Sequence, residues 1–321
     1  MLSVIIPVYN TEKYIEKCLV LALKNLPDKS EIILINDGSP DNSDKIINKF
    51  LSDKRIKYYK KENTGLSDTK NFGLNHANGK YIIYLDSDDF ISDGMYEECL
   101  KIATLNDADI VYTDVMMVYD DPTKNQYWRC STESDLGLMK HLNNMLMASS
   151  WNKMIKKELY DGVSFPIHLN NEDVAVTPIL FAKAKKIIKV NKPYYNYYQR
   201  AGSIQNSKFS KKRFAIFDTS LILFERLKNF DPITIEQIKG CVYMHQLFDM
   251  YFYIIKNLPI MERIKYTKYF LKKINIFDDY YKNYYLLKYF SKLGVSKTMD
   301  FFRRKKFFRL FIYFLKHDIN C

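Results

Sequence analysis

The chain has 321 residues, 47% of them apolar and 15% aromatic, and its 49 Lys/Arg against 37 Asp/Glu give a formal net charge of +12. This apolar content can bury a sizeable core, which excludes a disordered chain, a collagen-like repeat and a disulfide-stapled miniprotein. The five cysteines are scattered and never at Cys-x-x-Cys spacing, so the sequence predicts neither a disulfide framework nor a zinc knuckle.

The N-terminal residues Met1–Pro7 lack the basic and long apolar regions of a signal peptide, and no apolar run reaches the roughly 18 residues of a spanning helix. These features and the cysteine pattern predict a protein of the reducing cytosol, either free or resting on a membrane face.

Charge is unevenly distributed along the chain. Residues 1–113 carry 14 Lys/Arg and 18 Asp/Glu, whereas residues 205–321 carry 23 and 10. This asymmetry predicts an acidic front half that holds cations or sugars and a basic back half that docks on anions; a solvated lysine-rich surface explains the basic half equally well. No zinc-finger spacing, RNA-binding signature or basic recognition helix is present, so no nucleic-acid partner is predicted.

Apolar strand-length runs alternate with amphipathic segments in the first 90 residues. The predicted strands are 2–8, 32–35, 56–59 and 81–85, and the predicted helices are 14–22, 46–51 and 65–76. Continuously apolar strands that alternate with helices indicate a Rossmann-like, mostly parallel sheet with helices on both faces.

The pattern loosens beyond Val111, with predicted helices near 136–147 and 171–185 and a strand at 194–198. From about Phe209 the periodicity is helical, and only Asp231-Pro232 and Leu258-Pro259 are strong breakers. We therefore predict an α/β domain over residues 1–205 and a smaller helical, basic and aromatic domain over residues 206–321.

Polar clusters follow Val8, Ile35 and Leu85, where three of the predicted strands end. Ligands of parallel sheets bind at such carboxyl ends. Asp86 and Asp88 can both turn toward one Mg²⁺ or Mn²⁺ ion, although most Asp-x-Asp pairs are solvated loop residues. Asp37 can accept the N3–H of a uracil base, or it belongs to an ordinary Asp-Gly turn.

Five segments resemble the conserved motifs of family 2 glycosyltransferases with the GT-A fold, in the same order and at matching intervals. They are Ser3–Asn10, Asn36–Ser39, Asn63–Ser67, Asn71–Leu74 and Gly79–Asp89. The resemblance is close over the first 115 residues and looser to about residue 205. It implies an inverting, metal-dependent transfer of a sugar from a UDP-sugar to an acceptor hydroxyl, with Asp88 at the Mn²⁺ or Mg²⁺ ion.

The resemblance also implies residues that bind the nucleotide-sugar: Pro7, Tyr9, Asn10, Asp37, Gly65, Lys70, Asp86, Ser87, Arg200 and Ser203. Arg200 and Ser203 belong to a later segment, Gln199–Ile204, whose basic and hydroxyl groups fold over the diphosphate; an exposed loop arginine is the alternative for Arg200. The chain departs from the family where small residues and Arg-Asn are usual, because it has Asp68-Thr69-Lys70-Asn71. Lysine carries a compact ammonium group instead of the planar guanidinium of arginine, so the contacts to the sugar donor at this position stay open.

An inverting transfer needs one base on the acceptor side of the sugar. Glu172-Asp173 resembles the Glu-Asp pair of the family, and we predict Asp173 as the base, with Glu172 orienting it or contacting the acceptor. A helix cap is the alternative role for Asp173. His168 has no His-Glu-x-x-His partner and is predicted to be a surface residue.

Ser150–Lys153 is similar to the acceptor mouth of the family, which makes Trp151 and Lys153 acceptor-side candidates; a core position for Trp151 is equally compatible with the sequence.

The C-terminal residues 301–316 combine cations with an apolar, aromatic run too short to span a bilayer. They predict an interfacial helix on an anionic membrane, with packing on the helical domain or a dimer interface as the alternatives.

The leading hypothesis is therefore a peripheral enzyme at the cytosolic face of the plasma membrane. It would extend a lipid-linked surface glycan such as capsule, exopolysaccharide or O-antigen. The rival is a catalytically silent GT-A-fold binding or scaffolding protein at the membrane. A nucleotidyltransferase would need a Gly-rich phosphate loop after the first strand, and Tyr9-Asn10-Thr11 is not one. The donor sugar, the linkage and the oligomeric state stay open.

Overall fold

The computed structural model describes residues 1–130, 138–142, 148–200, 208–277 and 280–286. Its strands are β1 (Leu2–Val8), β2 (Glu31–Asp37), β3 (Ile56–Lys61), β4 (Tyr81–Tyr84), β5 (Phe90–Ile91), β6 (Ile110–Val118), β7 (Gln126–Trp128), β8 (Lys153–Lys156) and β9 (Ile187–Tyr198). They form one mixed sheet in the order β3-β2-β1-β4-β8-β6-β9-β5, with β7 paired to β6.

The α-helices of the described chain are α1 (Ile15–Lys24), α2 (Ser43–Asn48), α3 (Leu66–His76), α4 (Met95–Asn106), α5 (Met139–Leu142), α6 (Thr177–Lys183), α7 (Ala215–Arg226), α8 (Pro232–Val242), α9 (Asp249–Asn257) and α10 (Ile260–Ile274). Short 3₁₀ turns cover Pro122–Lys124, Lys157–Tyr160, Glu172–Ala175, Lys211–Phe214, Leu227–Asn229 and Tyr280–Lys282, and Tyr243–Phe248 is a π-helical turn.

The first four strands are parallel neighbours, as the alternating apolar pattern predicts. Every residue of β1 and β2 is buried, which is typical of a parallel strand covered on both faces. Helix α3 packs on these two strands at Gly73, where a Cβ atom would lie 2.4 Å from Ile5 Cγ2. The close approach fixes α3 beside the carboxyl ends of the strands, where its side chains can reach a ligand site.

The second half of the sheet is mixed, because β8 runs antiparallel between β4 and β6. The sequence pattern predicts neither β6 nor β8, and it places the start of β9 at Tyr194 although the strand begins at Ile187. The helix predicted over 171–185 is a 3₁₀ turn followed by α6, with Pro178 in the first turn of α6. Of the helix predicted near 136–147, the described part is α5.

The chain forms two units, Met1–Ser131 with Ala148–Ser210, and Thr132–Met147 with Lys211–Cys321. Helix α5 contacts α8 within the second unit, although the sequence assigns residues 139–142 to the first domain. The boundary near Asn206 stays a prediction.

The second unit is helical over its described residues from 211 onward, as predicted. Helix α8 begins at Pro232, with the carboxylate of Asp231 accepting the N–H groups of Ile233 and Thr234. The core of the second unit contains aromatic rings such as those of Phe217 and Phe270, whose centroids are 5.5 Å apart. Among the described residues, no helix has the length and apolar character needed to cross a membrane. The segment 301–316 lies outside the described residues.

Candidate active site

An acidic loop, residues 86–89, follows the buried strand β4. The N–H of Asp86 donates to Tyr195 Oη at 3.3 Å, and the N–H of Asp89 donates to the carbonyl of Asp86 at 3.0 Å. This turn places three carboxylates, those of Asp86, Asp88 and Asp89, within four consecutive residues at the carboxyl end of a core strand.

Asp86 is influenced by nearby charges of both signs. Burial raises the pKa of Asp86 to about 7; Lys70 opposes this shift, and the charges of Asp88, Asp173 and Glu172 add to it. The acidic loop and the two carboxylates of Glu172 and Asp173 thus lie near enough for their charges to interact.

Asp88 and Asp89 connect the acidic loop to β9. Asp88 Oδ2 lies 2.6 Å from Arg200 Nε, which forms an ion pair. The buried Asp89 accepts the hydroxyl of Tyr195 at 2.7 Å and the N–H of Tyr198 at 2.8 Å. Burial, with the charges of Asp88 and Asp86, raises the pKa of Asp89 well above its usual range.

The resemblance implies that Lys70 contacts the nucleotide-sugar, but in the structure Lys70 contacts Glu172 and Asp173, the predicted catalytic carboxylates. Its Nζ lies 2.8 Å from Glu172 Oε1, 2.7 Å from Asp173 Oδ1 and 3.1 Å from Ser150 Oγ. Ser150 also donates its N–H and its hydroxyl to Asp173 Oδ2 at 3.1 and 3.3 Å. The structure therefore brings α3, the segment before β8 and the 3₁₀ turn at Glu172 into one polar cluster.

The cluster is largely withdrawn from solvent: Lys70 is 1% and Glu172 is 6% exposed. Burial lowers the pKa of Lys70, but the charges of Asp173, Glu172 and Asp86 outweigh it and the net pKa is raised. Burial likewise raises the pKa of Glu172, against the opposing charge of Lys70. The side chain of Asp173 stays 17% exposed, so a substrate can reach this carboxylate.

Asp37 lies at the end of β2 and is 3% exposed. Its Oδ1 accepts the N–H of Thr64 at 3.0 Å and pairs with Lys61 Nζ at 2.5 Å, while its Oδ2 accepts the N–H of Gly65 at 3.0 Å. Gly65 has a φ of 93°, which favours glycine at the start of α3. Asp37 thus orders the loop before α3.

The other predicted donor residues lie around the ends of β1 and β4. Pro7 is buried in β1, whereas Tyr9 and Asn10 are exposed. The N–H of Asn10 donates to Ser39 Oγ at 3.2 Å, which connects the loops after β1 and β2. Ser87 accepts the hydroxyl of Thr11 at 3.1 Å. Ser203 lies outside the described residues.

Trp151 and Lys153 differ in what they offer a substrate. Trp151 is 7% exposed and stacks on Tyr195 and Tyr197, at centroid distances of 4.4 and 5.2 Å. The amine of Lys153 donates to Ser149 Oγ at 2.9 Å and to Asn152 Oδ1 at 2.6 Å, and burial lowers its pKa to about 8. Their acceptor-side roles stay predictions, and His168 is exposed, as expected.

Sequence reasoning missed Ser150, Asp89, Tyr195 and Tyr197 as site residues. Burial, together with the charges of Asp89, Asp86 and Asp88, raises the pKa of Tyr197, which places its ring near the acidic loop. The sequence offers one signal for the two tyrosines. In the run Tyr194-Tyr195-Asn196-Tyr197-Tyr198, Tyr195 and Tyr197 are two positions apart, so a strand places both rings on the same face of the sheet.

The acidic loop suits a hard divalent cation. Its carboxylates are the oxygen ligands that Mg²⁺ and Mn²⁺ prefer, and Asp86 and Asp88 lie two positions apart just after the end of β4. Among the described residues no group of three His, Cys, Asp or Glu side chains is arranged to hold a metal ion. One or two carboxylates, completed by water and phosphate, are the ordinary arrangement for Mg²⁺.

Residues 3–164 match the family model described as Glycosyl transferase family 2. "Glycosyltransferase GlyG" of Streptococcus pneumoniae is 33% identical over 226 residues, which are 65% of this chain and 74% of that protein. "Minor teichoic acid biosynthesis protein GgaB" of Bacillus subtilis is 28% identical over 232 residues, 70% of this chain but only 26% of GgaB.

The fold is similar to that of Staphylococcus aureus TarS 1-349, whose crystal structure in complex with UDP-GlcNAc superposes with a TM-score of 0.71. The match covers 95% of this chain and 87% of that chain at 18% identity. It confirms the predicted α/β GT-A architecture.

Proposed function

Because this chain belongs to glycosyl transferase family 2, we propose that it transfers a sugar from a UDP-sugar to a hydroxyl of a glycan, with inversion at the sugar carbon. Its assignment as a glycosyltransferase rests on the family. The observation that carries the finer proposal is the convergence of the acidic loop with Glu172 and Asp173, whose charges contribute to the raised pKa of Asp86. A donor-binding and an acceptor-activating carboxylate must lie near each other for one transfer step.

UDP is the proposed nucleotide of the donor. Asp37, Pro7, Tyr9, Asn10 and Gly65 would surround the uridine at the ends of β1 and β2. The ribose and diphosphate would lie at Asp86, Ser87, Arg200 and Ser203. The complexes of TarS with UDP and UDP-GlcNAc support this choice of nucleotide.

In the proposed step, the oxygen of the acceptor hydroxyl forms a bond to the anomeric carbon on the face opposite the diphosphate. The bond between that carbon and the diphosphate oxygen breaks, and its electron pair leaves with UDP. The hydroxyl proton passes to Asp173, whose side chain is partly exposed and held by Lys70 and Ser150.

Asp88, with Asp86 beside it, is the proposed holder of Mn²⁺ or Mg²⁺. Such an ion would neutralise negative charge on the diphosphate leaving group. Arg200, already paired with Asp88, would add a guanidinium that matches two phosphate oxygens.

The proposed acceptor is a surface glycan, carried on a lipid at the cytosolic face of the membrane. The similarity to GgaB, named for teichoic acid biosynthesis, supports a cell-surface polymer. The excess of Lys/Arg over Asp/Glu in residues 205–321 supports an anionic membrane surface as a partner of the helical unit.

Calorimetric titration with UDP, GDP, UDP-GlcNAc, UDP-glucose and UDP-galactose, with and without Mn²⁺, tests the donor and the metal. Released UDP measures slow hydrolysis, in which water replaces the acceptor. We expect one UDP-sugar to bind and hydrolyse only with the metal. Asp88→Asn should lose metal-dependent binding, and Asp173→Asn should keep binding but lose at least a hundredfold in rate.

Asp161→Asn, an exposed aspartate outside the site, is the matched control and should behave like the wild type. A wild-type protein that binds GDP but no uridine nucleotide would contradict the proposed donor, and binding unaffected by metal or by Asp88→Asn would contradict the proposed metal site.

A further inference from the structure

We propose that Lys70 and Ser150 are positioning residues that orient Asp173, rather than contacts to the donor. This inference rests on the proposed function, because it assigns a role relative to the proposed base. Lys70 and Ser150 together form what we call the base clamp.

The three N–H donors of Lys70 are all in use. An ammonium group has three such donors, and here they reach Ser150, Glu172 and Asp173 at 2.7 to 3.1 Å. The side chain of Lys70 is only 2% exposed. No N–H donor of this amine remains for a phosphate oxygen, so its positive charge serves the carboxylates of Glu172 and Asp173.

Ser150 completes the base clamp. Its hydroxyl accepts from Lys70 Nζ and can donate to Asp173 Oδ2, which also accepts the N–H of Ser150. A carboxylate has about four acceptor sites. Two donors occupy Oδ2 and one occupies Oδ1, so the remaining capacity lies on Oδ1, where the acceptor proton would arrive.

The departure from the usual family residue fits this geometry. A lysine ammonium is a compact group with donors pointing in three directions, whereas arginine is a planar fork suited to two parallel oxygens. Three partners from two separate segments surround one nitrogen here, and Lys70 meets that requirement.

The base clamp predicts a loss of rate without a loss of donor binding. Lys70→Gln removes the ammonium group that holds Asp173 Oδ1, so the carboxylate should no longer be aligned with the attacking hydroxyl or water. The kcat of UDP-sugar hydrolysis should fall by about tenfold to a hundredfold, while the KM for the UDP-sugar should stay within about twofold of the wild-type value.

The experiment measures kcat and KM from UDP release at several concentrations of the best UDP-sugar of the panel, for the wild type, Lys70→Gln, Lys70→Arg and Ser150→Ala. Lys70→Arg should recover part of the kcat that Lys70→Gln loses, and Ser150→Ala should lose less kcat than Lys70→Gln. Calorimetry with UDP should give the same affinity for Lys70→Gln as for the wild type.

Lys156→Gln is the matched control, because Lys156 is also buried and pairs with two carboxylates, Asp107 and Asp109, at 2.9 and 2.8 Å. It should lose stability and leave kcat unchanged. An unchanged kcat in both Lys70→Gln and Ser150→Ala, or weaker UDP binding by Lys70→Gln, would overturn the base clamp. A wild type that binds no uridine nucleotide would instead overturn the proposed donor. Ser150→Ala retains every charge, so it keeps the test decisive if Lys70→Gln does not fold.

Discussion

Arg200 Nε lies 2.6 Å from Asp88 Oδ2, so the segment after β9 supplies a cation to the acidic loop that follows β4. The two side chains are 24% and 22% exposed, which leaves the ion pair within reach of a ligand. A diphosphate that binds at this loop would meet both the negative and the positive partner.

Arg200→Gln should weaken UDP binding about tenfold or more, because a charge-assisted hydrogen bond contributes about 1.5–3 kcal/mol. Calorimetry with uridine as a second ligand should show unchanged affinity, since uridine lacks the diphosphate. Arg55 also pairs with an aspartate, Asp53, but far along the chain from the acidic loop, so Arg55→Gln serves as the control. An equal loss for uridine and UDP would contradict a phosphate contact by Arg200.

Asp37→Ala should lower the free energy of unfolding by about 2–3 kcal/mol. The substitution leaves the N–H groups of Thr64 and Gly65 and the mostly buried amine of Lys61 without this carboxylate. Urea denaturation measures the change. Asp68→Ala, which removes a 43% exposed partner of the same lysine, should cost less than about 1 kcal/mol. Equal costs for the two variants would argue against an ordering role for Asp37.

Trp151→Ala should destabilise the protein by about 3–5 kcal/mol, because it removes a buried ring that stacks on Tyr195 and Tyr197. Trp128, in the short strand β7, is less buried and offers a tryptophan control. Thermal and urea unfolding of Trp151→Ala and Trp128→Ala should therefore differ clearly. A cost below about 1 kcal/mol for Trp151→Ala would favour an acceptor-facing ring instead.

The buried Lys153 should make stability increase as the pH rises from about 8 toward 10.5. Burial lowers its pKa to about 8, so the unfolded chain binds the extra proton in this window and folding is favoured once the amine is neutral. The gain amounts to at most about 3 kcal/mol. Urea unfolding of Lys153→Met at pH 7, 8, 9 and 10 should lack the gain that the wild type shows, and identical pH profiles would refute it.

The first half of the sheet could be predicted because its signals are local. The apolar runs at Leu2–Val8 and Tyr81–Tyr84 identify the strands by themselves, and the strand ends position Asp37 and Asp86. β8 has four residues and no alternation to mark it, and its place between β4 and β6 depends on partners remote in sequence. Strand pairing of this kind is not encoded in any short window.

The same limit applies to the base clamp. The sequence singles out Lys70 through a departure from a family pattern and Asp173 through a Glu-Asp pair, but the two are separated by 103 residues. The direction in which Lys70 points depends on the packing of α3 at Gly73, which only the folded sheet determines.

Asp89 holds the hydroxyl of Tyr195 and the N–H of Tyr198, so the acidic loop and the end of β9 are joined before any ligand arrives. The loss of conformational entropy needed to assemble this part of the pocket therefore falls on folding and not on binding. A screen for weakened donor affinity would accordingly recover Asp89 variants together with variants of true contacts. Hydrogen exchange at the amide of Tyr198 would separate the two classes, because only the loss of preorganisation exposes that amide.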